Sequence, residues 1–415
     1  MTTRLHLFQG FGIELEYMIV DLETLQVRPI ADELLKFAAG SNEYVEDFVN
    51  GPITWSNELV LHVIELKCTQ PTPDLWKLQE DIHANVILIN KILKDRFNAC
   101  LMPTAAHPWM NPQKDAFLWP HGNSQVYEKY NAIFNCSGHG WSNLQSMHIN
   151  LPFYDNQEFA SLHAAARLVL PILPALAASS PILDLTHQGV DDQRLIFYQN
   201  NQKRIPSITG KIIPEAITSR KRYREEIYDK IAEDIKPFDP DGILNPVWLN
   251  SRGIIARFDR GSIEIRIIDL QECPKADLAI AALVIHTIKF LMAHSSKSLE
   301  EQIGWKTLDL YKILMDVVEK SSNAMVNQPK YPEVFNLPSA KIPVMELWSK
   351  ILDQCLKHYP NQMGPWEETL RSIFKSGSLS RRILASADGQ YSQENLKLIY
   401  RELSDNLSEN ELFMP

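Results

Sequence analysis

A chain of 415 residues, 45% hydrophobic and 22% charged, can bury a large core, and its formal charge of −10 argues against a nucleic-acid-binding face or a polybasic membrane patch. Five cysteines, odd in number and with no C-x-x-C pair, argue against a disulfide framework or a zinc knuckle. The N-terminus has no apolar signal core, and the apolar runs 168–178 and 278–284 are too short or too broken by proline to span a bilayer, so a cytoplasmic protein is expected.

In chain order, residues 11–21 predict a strand and 32–39 a helix. Residues 59–66 read as a second strand, ended by Gln70-Pro71-Thr72-Pro73, and 74–97 as a long amphipathic helix. Short strands follow at 99–105 and 146–151, separated by a Pro-rich loop. A helix at 159–178 should kink at Pro171 and Pro174. Residues 185–215 read as loop and 214–236 as a charged helix. A hairpin, 254–258 with 262–270, turns at Asp259-Arg260-Gly261. Helices at 275–294, 307–320, 343–358, 364–375 and 394–408 complete the chain. Strands confined to the first 270 residues and helices after them make an α+β protein with a mostly antiparallel sheet. No linker separates the sheet-bearing part, 1–275, from the helical part, 276–415, so 1–415 is expected to be a single domain.

Four of these strands carry polar groups that an ordinary core strand would not need. Glu14 and Glu16 lie two apart and share a face, although paired like charges on an apolar strand are destabilising. Glu58 and Glu65 are seven apart, so they converge only if the strand bends or bulges or Glu58 precedes it. His148 and Asn150 share one face of their strand, and Glu264 and Arg266 share another opposite Ile263, Ile265 and Ile267. Taken singly, these are ordinary surface carboxylates, a hydrogen-bonded histidine and an exposed ion pair. Taken together, five carboxylates and one imidazole suit two or more Mg²⁺ or Mn²⁺ ions. With no P-loop and no G-x-G-x-x-G, phosphate binding would rest on metals and arginines.

At these residues the chain resembles the type-2 glutamate–cysteine ligases, or carboxylate–amine ligases, of the glutamine synthetase superfamily. The motifs are Gly12-Ile13-Glu14-Leu15-Glu16-Tyr17, the run from Glu58 to Thr69, Thr104-Ala105-Ala106-His107-Pro108, Ser146-Met147-His148-Ile149-Asn150, Leu176 to Pro181, and Gly261-Ser262-Ile263-Glu264-Ile265-Arg266. They occur in family order from residue 10 to about 285. The resemblance implies a glutamine synthetase-like fold, its sheet curved into a funnel flanked by helices, with ATP at one end and amino-acid substrates at the other. It implies that Glu16, Glu58 and Glu65 hold one metal and that Glu14, His148 and Glu264 hold a second. Arg266 would meet the transferred phosphate and Arg257 would assist, with His148 and Asn150 beside the nucleotide. Arg194 or Arg204, with His107, would meet the substrate. Leu15 replaces an acidic residue common in the family, and Asn150 replaces a second histidine.

The activity implied is that of an ATP-dependent carbon–nitrogen ligase. It would join a small-molecule carboxylate to an amine, in a γ-glutamyl type of bond, through an acyl phosphate. Loops at 104–112 and 185–215 would close over that intermediate. Two alternatives are phosphoryl transfer to a guanidine on the same fold and a non-catalytic ligand-binding relative. Which carboxylate and amine are joined, and the oligomeric state, stay open.

Overall fold

The computed structural model describes residues 4–122 and 124–415; Met1 to Thr3, part of the N-terminus read above, lie outside the described residues. Its centre is an eight-stranded sheet made of β1 (Gly12–Asp21), β2 (Asp47–Asn50), β3 (Ile53–Asn57), β4 (Val63–Cys68), β5 (Ala99–Met102), β6 (Ser146–Pro152), β7 (Ile254–Arg257) and β8 (Ser262–Asp269). The order is β2-β3-β4-β1-β6-β8-β7, with every pairing antiparallel. β5 also pairs with β1, from Met18 to Asp21, beyond the stretch that faces β6. The α+β expectation holds.

Alternation along β1 explains its central place. Ile13, Leu15, Tyr17 and Ile19 are fully buried in the main core. The opposite face divides in two. Glu14 and Glu16 stay on its N-terminal half, while Met18 and Val20 are buried in a second apolar cluster with Leu379, Ile383, Leu396 and Tyr400. The C-terminal helices Leu379–Ala387 and Gln393–Glu409 thus cover half of this face and leave the acidic half to a cavity.

The helix Leu75–Phe97 starts where the Asp74 side chain accepts from the Lys77 N–H, and it ends at Asn98 in the left-handed region. The expected kink near Pro171 is a 3-10 turn, Leu170–Ile172, between helices Asn156–Val169 and Leu173–Ala177. The helix Pro274–His294 is apolar enough to cross a membrane, but 83% of its apolar window is buried inside the fold.

Four expectations need correction. Residues 59–66 are not one strand: β4 begins at Val63, and the preceding β2–β3 hairpin went unread because Ser56 and Asn57 break the apolar signal. The expected loop 185–215 contains the helix Gln193–Asn200, too short to print a helical period. The charged helix begins at Arg220, not Pro214, and passes through a π-helical segment, Arg224–Tyr228. The C-terminal part is not purely helical, since β9 (Met325–Val326) pairs with β10 (Ile342–Pro343).

Candidate active site

Register puts the polar groups side by side. Glu16 faces Glu65 across β1–β4, Glu14 faces His148 across β1–β6, and Asn150 faces Glu264 across β6–β8. Glu58 follows the end of β3, so it and Glu65 come from neighbouring strands; no bend within one strand is needed. A register shift between Met147 and Ile149 marks an irregularity where β8 carries Arg266. Gly12 belongs to this geometry. A Cβ there would lie 2.9 Å from the Asn150 Cβ, so glycine lets β1 and β6 approach at the site.

Hydrogen bonds fix the side chains. The Ser146 backbone N–H donates to Glu16 Oε2 at 2.7 Å and its hydroxyl to the same oxygen at 3.0 Å. His148 Nε2 lies 3.0 Å from the Ser146 hydroxyl, and its Nδ1 lies 3.1 Å from Glu14 Oε2. Asn150 Nδ2 donates to Glu14 Oε1 at 2.9 Å. Arg266 Nε stands 3.0 Å from Glu264 Oε1, and Lys67 Nζ stands 3.1 Å from Glu65 Oε2. Lys67 was missed on sequence, although it lies two residues beyond Glu65 and so shares its face.

Charge is unevenly matched. Burial alone would raise Glu14, but the His148 hydrogen bond and charge, Lys67 and a hydrogen bond with Glu65 bring it down to about 2. Burial pushes Glu58 and Glu65 well up; Glu16 and Glu65 add to the first shift, Glu14 and Glu16 to the second. Burial would lower His148, yet Glu14, Glu16 and Glu264 raise it. The patch therefore holds more carboxylates than its own cations can pair. Ligand atoms of Glu14, Glu65 and His148 lie within 4.8 Å of one another. Carboxylate oxygens with one imidazole, short of positive charge, fit Mg²⁺ or Mn²⁺. The six residues do not separate into the two expected trios. Glu65 converges with Glu14 and His148, and His148 stands 3.9 Å from both Glu16 and Glu264.

These six side chains line one cavity of about 490 Å³, together with Arg194, Arg257 and Arg266. Arg257 is paired with Asp259 at 3.1 Å. Arg194 touches the cavity, but its guanidinium is held by Asp269 at 3.1 Å and by the Arg266 carbonyl at 2.8 Å. It braces β8 more directly than it offers itself to a substrate. Asn150 opens instead on an adjoining cavity of about 750 Å³, which shares Glu14, Lys67 and Arg260 with the first.

Two expected substrate residues lie elsewhere. Arg204 donates to the Ile133 carbonyl and lies over the Phe238 ring. His107 is fully buried, its Nε2 2.7 Å from the Leu25 carbonyl and its Nδ1 accepting from the Met110 N–H. Thr104 to Pro108 and Met110 are buried, Trp109 is half-buried and Asn111 is exposed; none of 104–112, expected as a closing loop, lines either cavity. Tyr127, Tyr130, Trp141, Tyr198 and Trp248 do line the first cavity. They come from short helices whose sequence reads as ordinary apolar packing.

The model of glutamate-cysteine ligase family 2 matches residues 10–402 of the chain. A protein of Archaeoglobus fulgidus, described only as uncharacterized, is 32% identical over 406 residues, which is 97% of this chain and all of the relative. Among solved structures, the glutamate–cysteine ligase of Francisella tularensis in complex with AMP superposes with a TM-score of 0.64 at 13% identity, covering 98% of this chain and 90% of that one. At that identity the likeness speaks for the fold, which is the one the motifs implied. The chain belongs to glutamate-cysteine ligase family 2.

Proposed function

We propose that this protein is an ATP-dependent carboxylate–amine ligase. Family membership supports the reaction class, and the AMP in the Francisella tularensis ligase supports a nucleotide site on this fold. The single observation that carries the reading is the patch of Glu14, Glu16, Glu58, Glu65, His148 and Glu264 lining one cavity beside Arg266. Five carboxylates crowded together, three buried and two half-buried, are a liability unless cations meet them.

A divalent metal held by these residues would neutralise phosphate oxygens and align the donor. The adjoining cavity of about 750 Å³, flanked by Arg4, Lys67 and Arg260, has the room and the positive rim for a nucleotide and meets the patch at Glu14. A substrate carboxylate oxygen attacks the γ-phosphorus of ATP, ADP leaves, and Arg266 offsets charge on the transferring oxygens. The amine then attacks the acyl carbon, phosphate departs with the original carboxylate oxygen, and the amine's proton passes to a carboxylate or to phosphate. Arg194, fixed to Asp269 and to the Arg266 carbonyl, positions Arg266. The cysteines take no part: Cys136, Cys273 and Cys355 are buried, and burial pushes the Cys68 thiol up and the Cys100 thiol up to about 11.

The test supplies purified protein with ATP, Mg²⁺ and pooled amino acids and follows ADP and new amides by mass spectrometry. One amide per ADP is expected. ADP formation only with a guanidine substrate would replace ligation by phosphoryl transfer.

A further inference from the structure

The sheet side of the 490 Å³ cavity is carboxylate, but aromatic rings line it as well. Helix Ser124–Phe134 supplies Tyr130, His139–Ser142 supplies Trp141, Gln193–Asn200 supplies Tyr198, and Pro246–Leu249 supplies Trp248. Three of these rings meet edge to face: Tyr130 and Trp141 at 4.7 Å and 85°, Tyr130 and Trp248 at 5.1 Å and 66°. Trp248 nevertheless keeps 43% of its surface exposed. The Tyr198 hydroxyl is buried with no hydrogen-bond partner, within the field of Arg266, Glu264 and Glu16. An uncovered indole, which also borders a neighbouring cavity with Tyr228 and Phe258, and an unpaired buried hydroxyl both line the cavity of the reaction and are two separate signs of a missing ligand.

We infer that the acceptor amine carries a large flat side chain, aromatic in character, that packs against Trp248 and Trp141 while its nitrogen meets the Tyr198 hydroxyl. This rests on the ligase reading and names its second substrate class. A thiol on one methylene would leave Trp248 wet. A flat ring gains the edge and face contacts that the Tyr130–Trp141–Trp248 group already uses internally. The same carboxylates and π-faces attract an ammonium, so the nitrogen is drawn to the sheet side and the ring to the aromatic side.

Calorimetric titrations with Mg²⁺ and a non-hydrolysable ATP analogue would compare 2-phenylethylamine with ethylamine, and L-tryptophan with L-cysteine. The aromatic member of each pair is expected to bind roughly tenfold tighter or more, and Trp248→Ala to remove about that factor for the aromatic members alone. Trp248→Phe should restore most of it. Equal affinity within the pairs, no binding by any of the four, or unchanged aromatic affinity in Trp248→Ala would overturn the inference. ADP release from the same protein preparations, given ATP in place of the analogue together with pooled carboxylates and the same four amines, reads the ligase function separately. Aromatic preference without any ADP would sink the ligase reading while supporting the aromatic pocket.

Discussion

Glu16 and Glu264 sit in the patch by different means, one held by two bonds from Ser146 and the other 3.0 Å from Arg266. Glu16→Ala and Glu264→Ala should each lower turnover by roughly 10²–10³-fold or more, with near-native unfolding curves, because removing one charge from a crowded anionic patch relieves repulsion. Near-full activity in either variant would remove that residue from the site. Arg194 should behave oppositely. It and Asp269 are almost wholly buried, so Arg194→Ala leaves an unpaired carboxylate and should cost about 3–5 kcal/mol in urea unfolding. Lost activity with unchanged unfolding would instead make Arg194 a substrate contact. At this scale the candidate site was partly legible. Carboxylates on a β pattern advertise themselves, whereas Arg194, Arg204 and His107 looked equally functional because a braced polar side chain and a free one have the same letter.

At the scale of elements, period-2 alternation disclosed β1, β6 and β8 and the faces of Glu14, His148 and Glu264, since the opposing isoleucines must be buried. It failed around Glu58, where the apolar run Leu59-Val60-Leu61 in the connection between two short strands reads as part of a strand. Gly12 shows how narrow the tolerance is. Gly12→Ala pushes a methyl into the Asn150 Cβ and should cost about 1–3 kcal/mol of stability. By spreading Glu14 from His148 it should also slow turnover by roughly 10²-fold. Unchanged kinetics in a folded variant would show that β1–β6 spacing does not set the site.

For the whole molecule, the C-terminal helices bury Met18 and Val20 on the face that ends in Glu14 and Glu16, so the helical part closes the sheet that the N-terminal part supplies. That relation was invisible in sequence, because an apolar helix face does not name its partner. The aromatic lining was hidden for the same reason. Burial holds four histidines neutral: His62, His107 and His286 are lowered to about 4 and His163 to about 3. In an unfolded chain they titrate near ~6.5. Their contribution is complete above that pH and is lost as pH falls through 6.5 toward 4, and toward 3 for His163. Between pH 7 and 5 the fall in unfolding free energy should be smaller in His163→Gln than in the parent, by up to about 2 kcal/mol. Equal falls would mean that His163 is not held neutral.

An acyl phosphate formed beside the carboxylate patch would carry one oxygen of the substrate carboxylate into the released phosphate, so oxygen transfer reports on it. The carboxylate identified by the amide screen would be supplied with ¹⁸O in its carboxyl group, with ATP, Mg²⁺ and the amine, and the released phosphate analysed by mass spectrometry. One ¹⁸O atom per phosphate is the predicted result. Unlabelled phosphate accompanying the amide would contradict it.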